Sequence, residues 1–129
     1  MEEMITVGSP APDFTLKDQN GNEVSLRSFR GRKVLLSWHP LAWTSVCTDQ
    51  MRALDRNYSL LTEKNTVALG ISVDPQPSKS AWAKAICLSS LPVLADFHPL
   101  GRVSADYGLF SESFGASKRA NVLVDENGF

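Results

Sequence analysis

The sequence has no excess of charge, no long apolar run and no secretory leader pattern. Over 129 residues the formal net charge is -1 and the sequence pI is about 6.1, so neither nucleic acid nor an anionic membrane is favoured as a partner. No apolar run approaches the roughly 18 residues needed to span a bilayer. The first ten residues, MEEMITVGSP, are acidic and lack the apolar core of a secretory signal. These absences predict a soluble, cytoplasmic protein.

Cysteine is also scarce. Cys47 and Cys87 lie 40 positions apart (87 − 47), and no C-x-x-C pair occurs. A small secreted disulfide scaffold usually has more cysteines. Two cysteines and two histidines (His39 and His98) at these spacings do not predict a structural zinc site. The absence of C-x-x-C also argues against a general dithiol–disulfide oxidoreductase, so Cys47 is either a reactive thiol or an inert core residue.

Length and composition predict a single domain over residues 1–129 with one core, since the apolar fraction of 43% is ordinary for a globular protein. Polar and apolar residues alternate on both sides of Asn20-Gly21, which predicts an antiparallel hairpin over residues 14–26. Residues 34–38 and 67–73 are nearly continuous apolar runs, as in strands buried on both faces.

Between these two runs the spacing is helical. Cys47, Met51, Leu54, Tyr58 and Leu61 recur at steps of four and three, which predicts a helix from about residue 44 to residue 65. A second helix is predicted after residue 78 or 80, with Cys87 near its last turn. A short strand after residue 91, a short helix over 102–107 and a strand over 120–124 complete the pattern. The order predicts a thioredoxin-like α/β fold, with a central mixed β-sheet flanked by helices and an N-terminal β-hairpin.

Cys47 falls where a buried strand leads into a helix. Helix N-termini carry unpaired N–H groups and a partial positive charge, which favour a thiolate. The hydroxyl of Thr44, three residues earlier, can reach the same turn and donate to the thiolate or to a substrate oxygen. Pro40 has no N–H and a rigid ring that can shield the sulfur. From the residues alone, a cysteine on the apolar face of a helix is more often a core residue, and both interpretations stay open.

The segment HPLAWTSVCTDQM resembles the active-site segment of peroxiredoxins, which carry P-x-x-x-T-x-x-C. Pro40, Thr44 and Cys47 match that motif in order and spacing. GSPAPDFTLKDQNGNEVSL, ISVDPQPSKSAWAKAI and RANVLVDENG resemble further segments of the family, so the similarity covers nearly all of the chain. It implies a thiol peroxidase without metal or organic cofactor, in which Cys47 attacks hydrogen peroxide or an organic hydroperoxide and becomes a sulfenic acid.

The resemblance also implies a distant partner for the cysteine. Arg119 would be the family's catalytic arginine, whose fixed charge stabilises the thiolate and the leaving oxygen. Without the family, Arg119 is interpreted as a solvated arginine beside Lys118.

Cys87 allows two catalytic cycles. In one it is a resolving cysteine, and a thioredoxin-type protein reduces the resulting disulfide. In the other it is a buried helix residue, and an external low-molecular-weight or protein thiol regenerates Cys47.

Three further expectations follow from the family. Trp43 is expected to be partly exposed and to suit a homodimer interface. His39 stands where the family often has an aromatic residue, and no chemistry is assigned to it. The family usually adds a strand and a C-terminal helix, so the 1–129 domain is expected to lack them. The alternative function is a thioredoxin-like redox-sensing or binding module that keeps an oxidisable Cys47 without efficient turnover.

Overall fold

The computed structural model describes residues 4–129, which form an α/β structure. The strands, in chain order, are β1 (Thr15–Lys17), β2 (Glu23–Ser25), β3 (Lys33–Trp38), β4 (Thr66–Ser72), β5 (Val93–Ala95), β6 (Phe110–Ser111), β7 (Ala116–Ser117) and β8 (Ala120–Val124). The helices are α1 (Ser45–Arg56), α2 (Tyr58–Glu63), α3 (Gln76–Ala85) and α4 (Arg102–Asp106), with a short 3-10 helix over Leu26–Phe29. No helix within residues 4–129 is both long enough and apolar enough to cross a membrane.

Six strands form one mixed sheet in the order β2-β1-β5-β4-β3-β8. β3, β4 and β5 are parallel, whereas β1 and β8 run antiparallel to their neighbours. The predicted hairpin is confirmed as β1 and β2, and its turn is held by Asp18, whose carboxylate accepts from the backbone N–H groups of Asn20 and Asn22. The predicted mixed sheet flanked by helices is therefore present.

Two apolar clusters cover the two faces of the sheet. One contains Trp38 and Tyr107, whose ring centroids lie 4.9 Å apart. The other contains Cys47, Met51 and Trp82 and joins α1 and α3 to the sheet. All seven residues of β4 are buried, which explains why apolar residues run from Val67 to Ile71 without alternating with polar ones.

Gly70 in β4 allows α1 to lie close to the sheet. A side chain at this position would occupy the space of the Met51 thioether, one helical turn beyond Cys47. The small residue in β4 thus sets the depth at which the first turns of α1 pack.

The predicted helix over residues 44–65 is wrong in one respect, because it is two helices. Asn57 separates α1 from α2, and both its backbone N–H and its side-chain Nδ2 donate to the carbonyl of Ala53. A side-chain amide that competes for helix carbonyls interrupts the regular ladder. Apolar spacing could not show this break, because the apolar face continues across it.

The prediction for the second helix also needs correction. α3 begins at Gln76 after the N-cap Pro75, with a proline in its first turn, where a missing N–H costs nothing. It ends at Ala85, so Cys87 lies outside the helix, in a left-handed backbone conformation with φ of 61°. The polar stretch around residues 111–118 forms the β6–β7 hairpin, which was not predicted.

The segment that follows Cys87 is held against α1 by Asp55. Its carboxylate accepts from the backbone N–H groups of Ser89, Ser90 and Leu91 and from the Ser89 hydroxyl. Partial burial acts to raise the pKa of Asp55, but these hydrogen bonds outweigh it and hold the pKa below its usual value. The connection from α3 to β5 is therefore attached to the C-terminal half of α1.

Candidate active site

Cys47 is the third residue of α1 and is completely buried. The helix starts after the N-cap Thr44, in extended conformation, and lies beyond the C-terminal end of the parallel strand β3. The first turn of a helix supplies N–H groups without helical partners, together with the positive end of the helix dipole. These groups stabilise a thiolate at this position without the help of a metal ion.

Arg119 reaches this sulfur from a point 72 positions downstream. Its Nη2 donates to Cys47 Sγ at 3.3 Å, and its Nη1 donates to the side-chain oxygen of Gln50. Antiparallel pairing of β8 with β3 sets Ala120 opposite Trp38, which places Arg119 at the end of β3 from which the chain continues to α1. The sheet register thus brings the guanidinium to the cysteine.

Gln50 orients the guanidinium. Its amide nitrogen donates to Ser37 Oγ at 2.7 Å and to the carbonyl of Trp38 at 3.2 Å, which leaves its oxygen facing Arg119. One side chain of α1 therefore links the end of β3 to the cation beside Cys47. An amide fixed at both ends limits the positions that the guanidinium can take.

Thr44 and Pro40 both lie in the connection between β3 and α1. The Thr44 carbonyl accepts the first helical N–H, from Thr48, at 3.0 Å. Its hydroxyl donates to the carbonyl of Leu41 at 2.9 Å, and among residues 4–129 it forms no hydrogen bond with the Cys47 sulfur. Pro40 is half-buried between β3 and this turn. Thr44 is thus the N-cap residue of α1, and its hydroxyl proton is directed at Leu41.

A buried lysine, which the sequence analysis missed, also acts on this site. Lys79 of α3 is fully buried, and its Nζ lies 2.7 Å from Nε2 of His39, which is also fully buried. Lys79 Nζ lies 5.3 Å from the centroid of the Trp82 ring. The sequence spacing could have indicated that Lys79 points inward, because it lies three and four positions before Trp82 and Ala83 and therefore on the same helix face. In the structure all three residues are buried.

Both members of this pair have a lowered pKa. Burial lowers the pKa of Lys79 to about 7, while the charges of Asp74 and Cys47 act in the opposite direction. Burial, followed by the charge of Lys79, lowers the pKa of His39 well below its usual value. Lys79 therefore titrates in the neutral range, and its Nζ is hydrogen-bonded to His39 Nε2 with the donor set by the tautomer of the imidazole.

Cys87 lies away from this group. It follows the end of α3 and is exposed, and the next residues contact Asp55, eight positions after Cys47. Eight residues correspond to about 12 Å along a helix axis. The α-carbons of a disulfide lie at most about 7 Å apart. The described structure does not bring the two cysteines together.

Trp43 is exposed, as expected, with 56% of its surface accessible. It adopts a left-handed backbone conformation with φ of 70°, and its indole N–H donates to Ser78 Oγ at 3.1 Å. Val46, in the first turn of α1, is exposed to a similar degree. Two exposed apolar side chains therefore lie within the motif, alongside the exposed polar residues Thr44 and Ser45.

The chain was compared with known proteins. A model of the AhpC/TSA family matches residues 7–129. Alkyl hydroperoxide reductase E of Mycobacterium tuberculosis (strain ATCC 25618 / H37Rv) is 42% identical over 126 residues, which are 97% of this chain and 82% of that protein. Chloroplastic peroxiredoxin Q of Sedum lineare is 34% identical, covering 96% of this chain and 66% of its own length. The crystal structure of a reduced 2-Cys peroxiredoxin from Plasmodium vivax superposes with a TM-score of 0.87 at 34% identity, covering 95% of this chain and 68% of that one.

A thioredoxin-like α/β fold with a buried cysteine in the first turn of a helix, facing an arginine, defines the class of thiol-dependent peroxidases. The chain belongs to the AhpC/TSA family. The predicted fold, the family resemblance and the peroxidase function are thereby confirmed. Within residues 4–129, no three His, Cys, Asp or Glu side chains are grouped so as to hold a metal ion.

Proposed function

We propose that Cys47 is the peroxidatic cysteine of this enzyme and that Arg119, Thr44 and Pro40 complete its active site. The 3.3 Å contact between Arg119 Nη2 and Cys47 Sγ carries this assignment. The thiolate attacks one peroxide oxygen and the O–O bond breaks. Sulfur is oxidised to a sulfenic acid, and the leaving oxygen takes a proton to become water or an alcohol. The guanidinium and the first-turn N–H groups face the negative charge that moves onto the oxygens.

The proposed substrates are hydrogen peroxide and organic hydroperoxides. One relative is named an alkyl hydroperoxide reductase, and the exposed apolar side chains of Trp43 and Val46 lie next to the motif. An alkyl group can lose water-exposed surface against them while its peroxide oxygens approach the cysteine.

A rapid-mixing measurement tests this function. The wild-type protein is mixed with hydrogen peroxide or with tert-butyl hydroperoxide, and its tryptophan fluorescence is followed. We expect rate constants at least on the order of a thousandfold above that of free cysteine, because the site supplies both an oriented thiolate and donors for the leaving oxygen. A rate equal to that of free cysteine would contradict the peroxidase and favour the redox-sensing module.

We further propose that an external thiol regenerates Cys47. Cys87 is exposed at the far end of α3 and is not positioned to attack the sulfenic acid without a large rearrangement. The reductant is a thioredoxin-type protein or a low-molecular-weight thiol, both of which fit a reducing compartment such as the cytoplasm.

A homodimer is also proposed, with the exposed apolar side chains of Trp43 and Val46 in its interface.

The Cys87→Ser variant tests this cycle. After one equivalent of hydrogen peroxide, wild type and variant should both give a Cys47 sulfenic acid that a dimedone probe traps in equal yield. Both should also turn over equally with excess external thiol, because Cys87 takes no part. Loss of two hydrogens within one wild-type chain, abolished in Cys87→Ser, would instead establish a resolving role for Cys87.

A further inference from the structure

Lys79 and His39 form a buried pair that no part of the proposed peroxide chemistry uses. Both residues are completely buried, and their side-chain nitrogens lie 2.7 Å apart across 40 positions of sequence. The backbone holds His39 firmly, since its N–H donates to Ile71 at 2.9 Å and its carbonyl accepts from Ser117 at 2.8 Å. The position of His39 in the interior is therefore fixed by its backbone.

The pair is costly to bury. A lysine ammonium removed from water needs compensating partners, and a neutral histidine leaves one ring nitrogen to satisfy. Within residues 4–129, Nδ1 of His39 forms no hydrogen bond of ordinary length and angle, and only a weaker interaction with the Ser37 backbone acts to raise the pKa of the ring. A hydrophobic pair of similar volume would fill this space at lower cost, so packing alone does not explain the arrangement.

Three ionisable groups outside the pair act on its charges. Cys47 belongs to α1, Asp74 follows β4, and Arg119 precedes β8; Asp74 and Cys47 act on Lys79, and Arg119 acts on His39. Asp74 is already engaged by the Ala42 N–H at 2.8 Å and by the Ser72 hydroxyl. Cys47 is thus the one group among these three whose charge changes during the proposed reaction.

Electrostatic coupling between two groups is reciprocal. A Cys47 anion raises the affinity of Lys79 for its proton, so a protonated Lys79 must favour the Cys47 anion by the same free energy. Trp82 connects the two residues structurally, because Lys79 lies over its ring and it belongs to the same apolar cluster as Cys47. Its indole N–H donates to Thr48, the residue after Cys47, at 3.2 Å.

We propose that Lys79 and His39 act as one positioning unit that shares a proton and holds a single buried positive charge, which stabilises the Cys47 thiolate from the protein interior. This inference rests on the proposed role of Cys47 as the reacting thiol. Arg119 acts on the same sulfur from the partly exposed side. His39 keeps the shared charge in place by accepting from the Lys79 ammonium, so loss of either residue removes it.

The test measures the Cys47 thiolate directly, in a Cys87→Ser background so that only one thiol reports. Lys79→Met, His39→Phe and the double variant are compared by ultraviolet thiolate absorbance against pH and by the rate of alkylation with iodoacetamide. Each should reach half-maximal thiolate about one pH unit higher than the parent, as expected for loss of a nearby cation. The double variant should match the singles, because all three remove the same charge. Lys84→Met, an exposed lysine of the same helix, is the matched control and should show no shift.

Stability separates this role from a structural one. The double variant should melt at the same or a higher temperature than the parent, because it replaces a buried ionisable pair with apolar groups of similar size. His39→Phe is informative by itself if Lys79→Met does not fold. Unshifted thiolate curves, or shifts that add in the double variant, would overturn the proposal. Alkylation does not involve peroxide. If the thiolate curves of the variants shift as expected but the parent protein consumes no peroxide, the result would contradict the proposed function and still support the role of the Lys79–His39 pair.

Discussion

Replacing Cys47 with serine should lower the rate constant for hydrogen peroxide by at least about a thousandfold, to the uncatalysed background. The thiolate is the atom that attacks, and a serine hydroxyl at the same place is neither ionised at neutral pH nor oxidised by peroxide. Arg119 and the first turn of α1 remain in the variant but have no reacting anion to assist. The measurement is peroxide consumption after rapid mixing, with excess external thiol.

Cys87→Ser is the matched control for this experiment, since it removes the other thiol of the chain and should keep the wild-type rate. The fold of the Cys47→Ser variant is checked by circular dichroism, because the residue is completely buried and a collapsed variant would also be inactive. A well-folded Cys47→Ser protein that still consumed peroxide near the wild-type rate would overturn the assignment of Cys47.

Arg119→Gln should slow the reaction by about a hundredfold, the usual consequence of losing a donor aimed at developing charge. The guanidinium contacts the sulfur at 3.3 Å and is held by Gln50, so its charge and its direction both matter. Arg119→Lys should fall between wild type and Arg119→Gln, because it keeps the charge but lacks the planar fork that contacts both partners. Rate constants from rapid mixing with hydrogen peroxide give the comparison.

Lys118→Gln supplies the control for the lost positive charge. Lys118 is adjacent and exposed, and its backbone N–H pairs with Leu109 in the same way whatever its side chain. Its replacement should leave the rate within a factor of about two, as for a surface charge in water. Equal losses in Lys118→Gln and Arg119→Gln would indicate a general attraction of the chain for the substrate rather than a contact with the sulfur.

Local patterns predicted most of the elements that carry these residues. Alternation around Asn20-Gly21 predicted β1 and β2, and continuous apolar runs predicted β3 and β4, because both signals depend on neighbours in sequence. The break at Asn57 escaped, since it depends on one side-chain amide bonding Ala53. The start of α3 escaped as well, since a proline in the first turn resembles a loop residue in the sequence.

The sequence by itself determined a strand followed by a helix with Cys47 in its first turn, because strand and helix periodicities and caps are local properties. Only the tertiary structure decided which distant side chains meet that sulfur. Arg119 arrives through the register of β8 on β3, and Lys79 pairs with His39 across two separate elements. Contacts over 72 and 40 positions depend on how strands align and how deeply helices pack, and no spacing along the chain encodes that. The charges around Cys47 are therefore a property of the folded sheet.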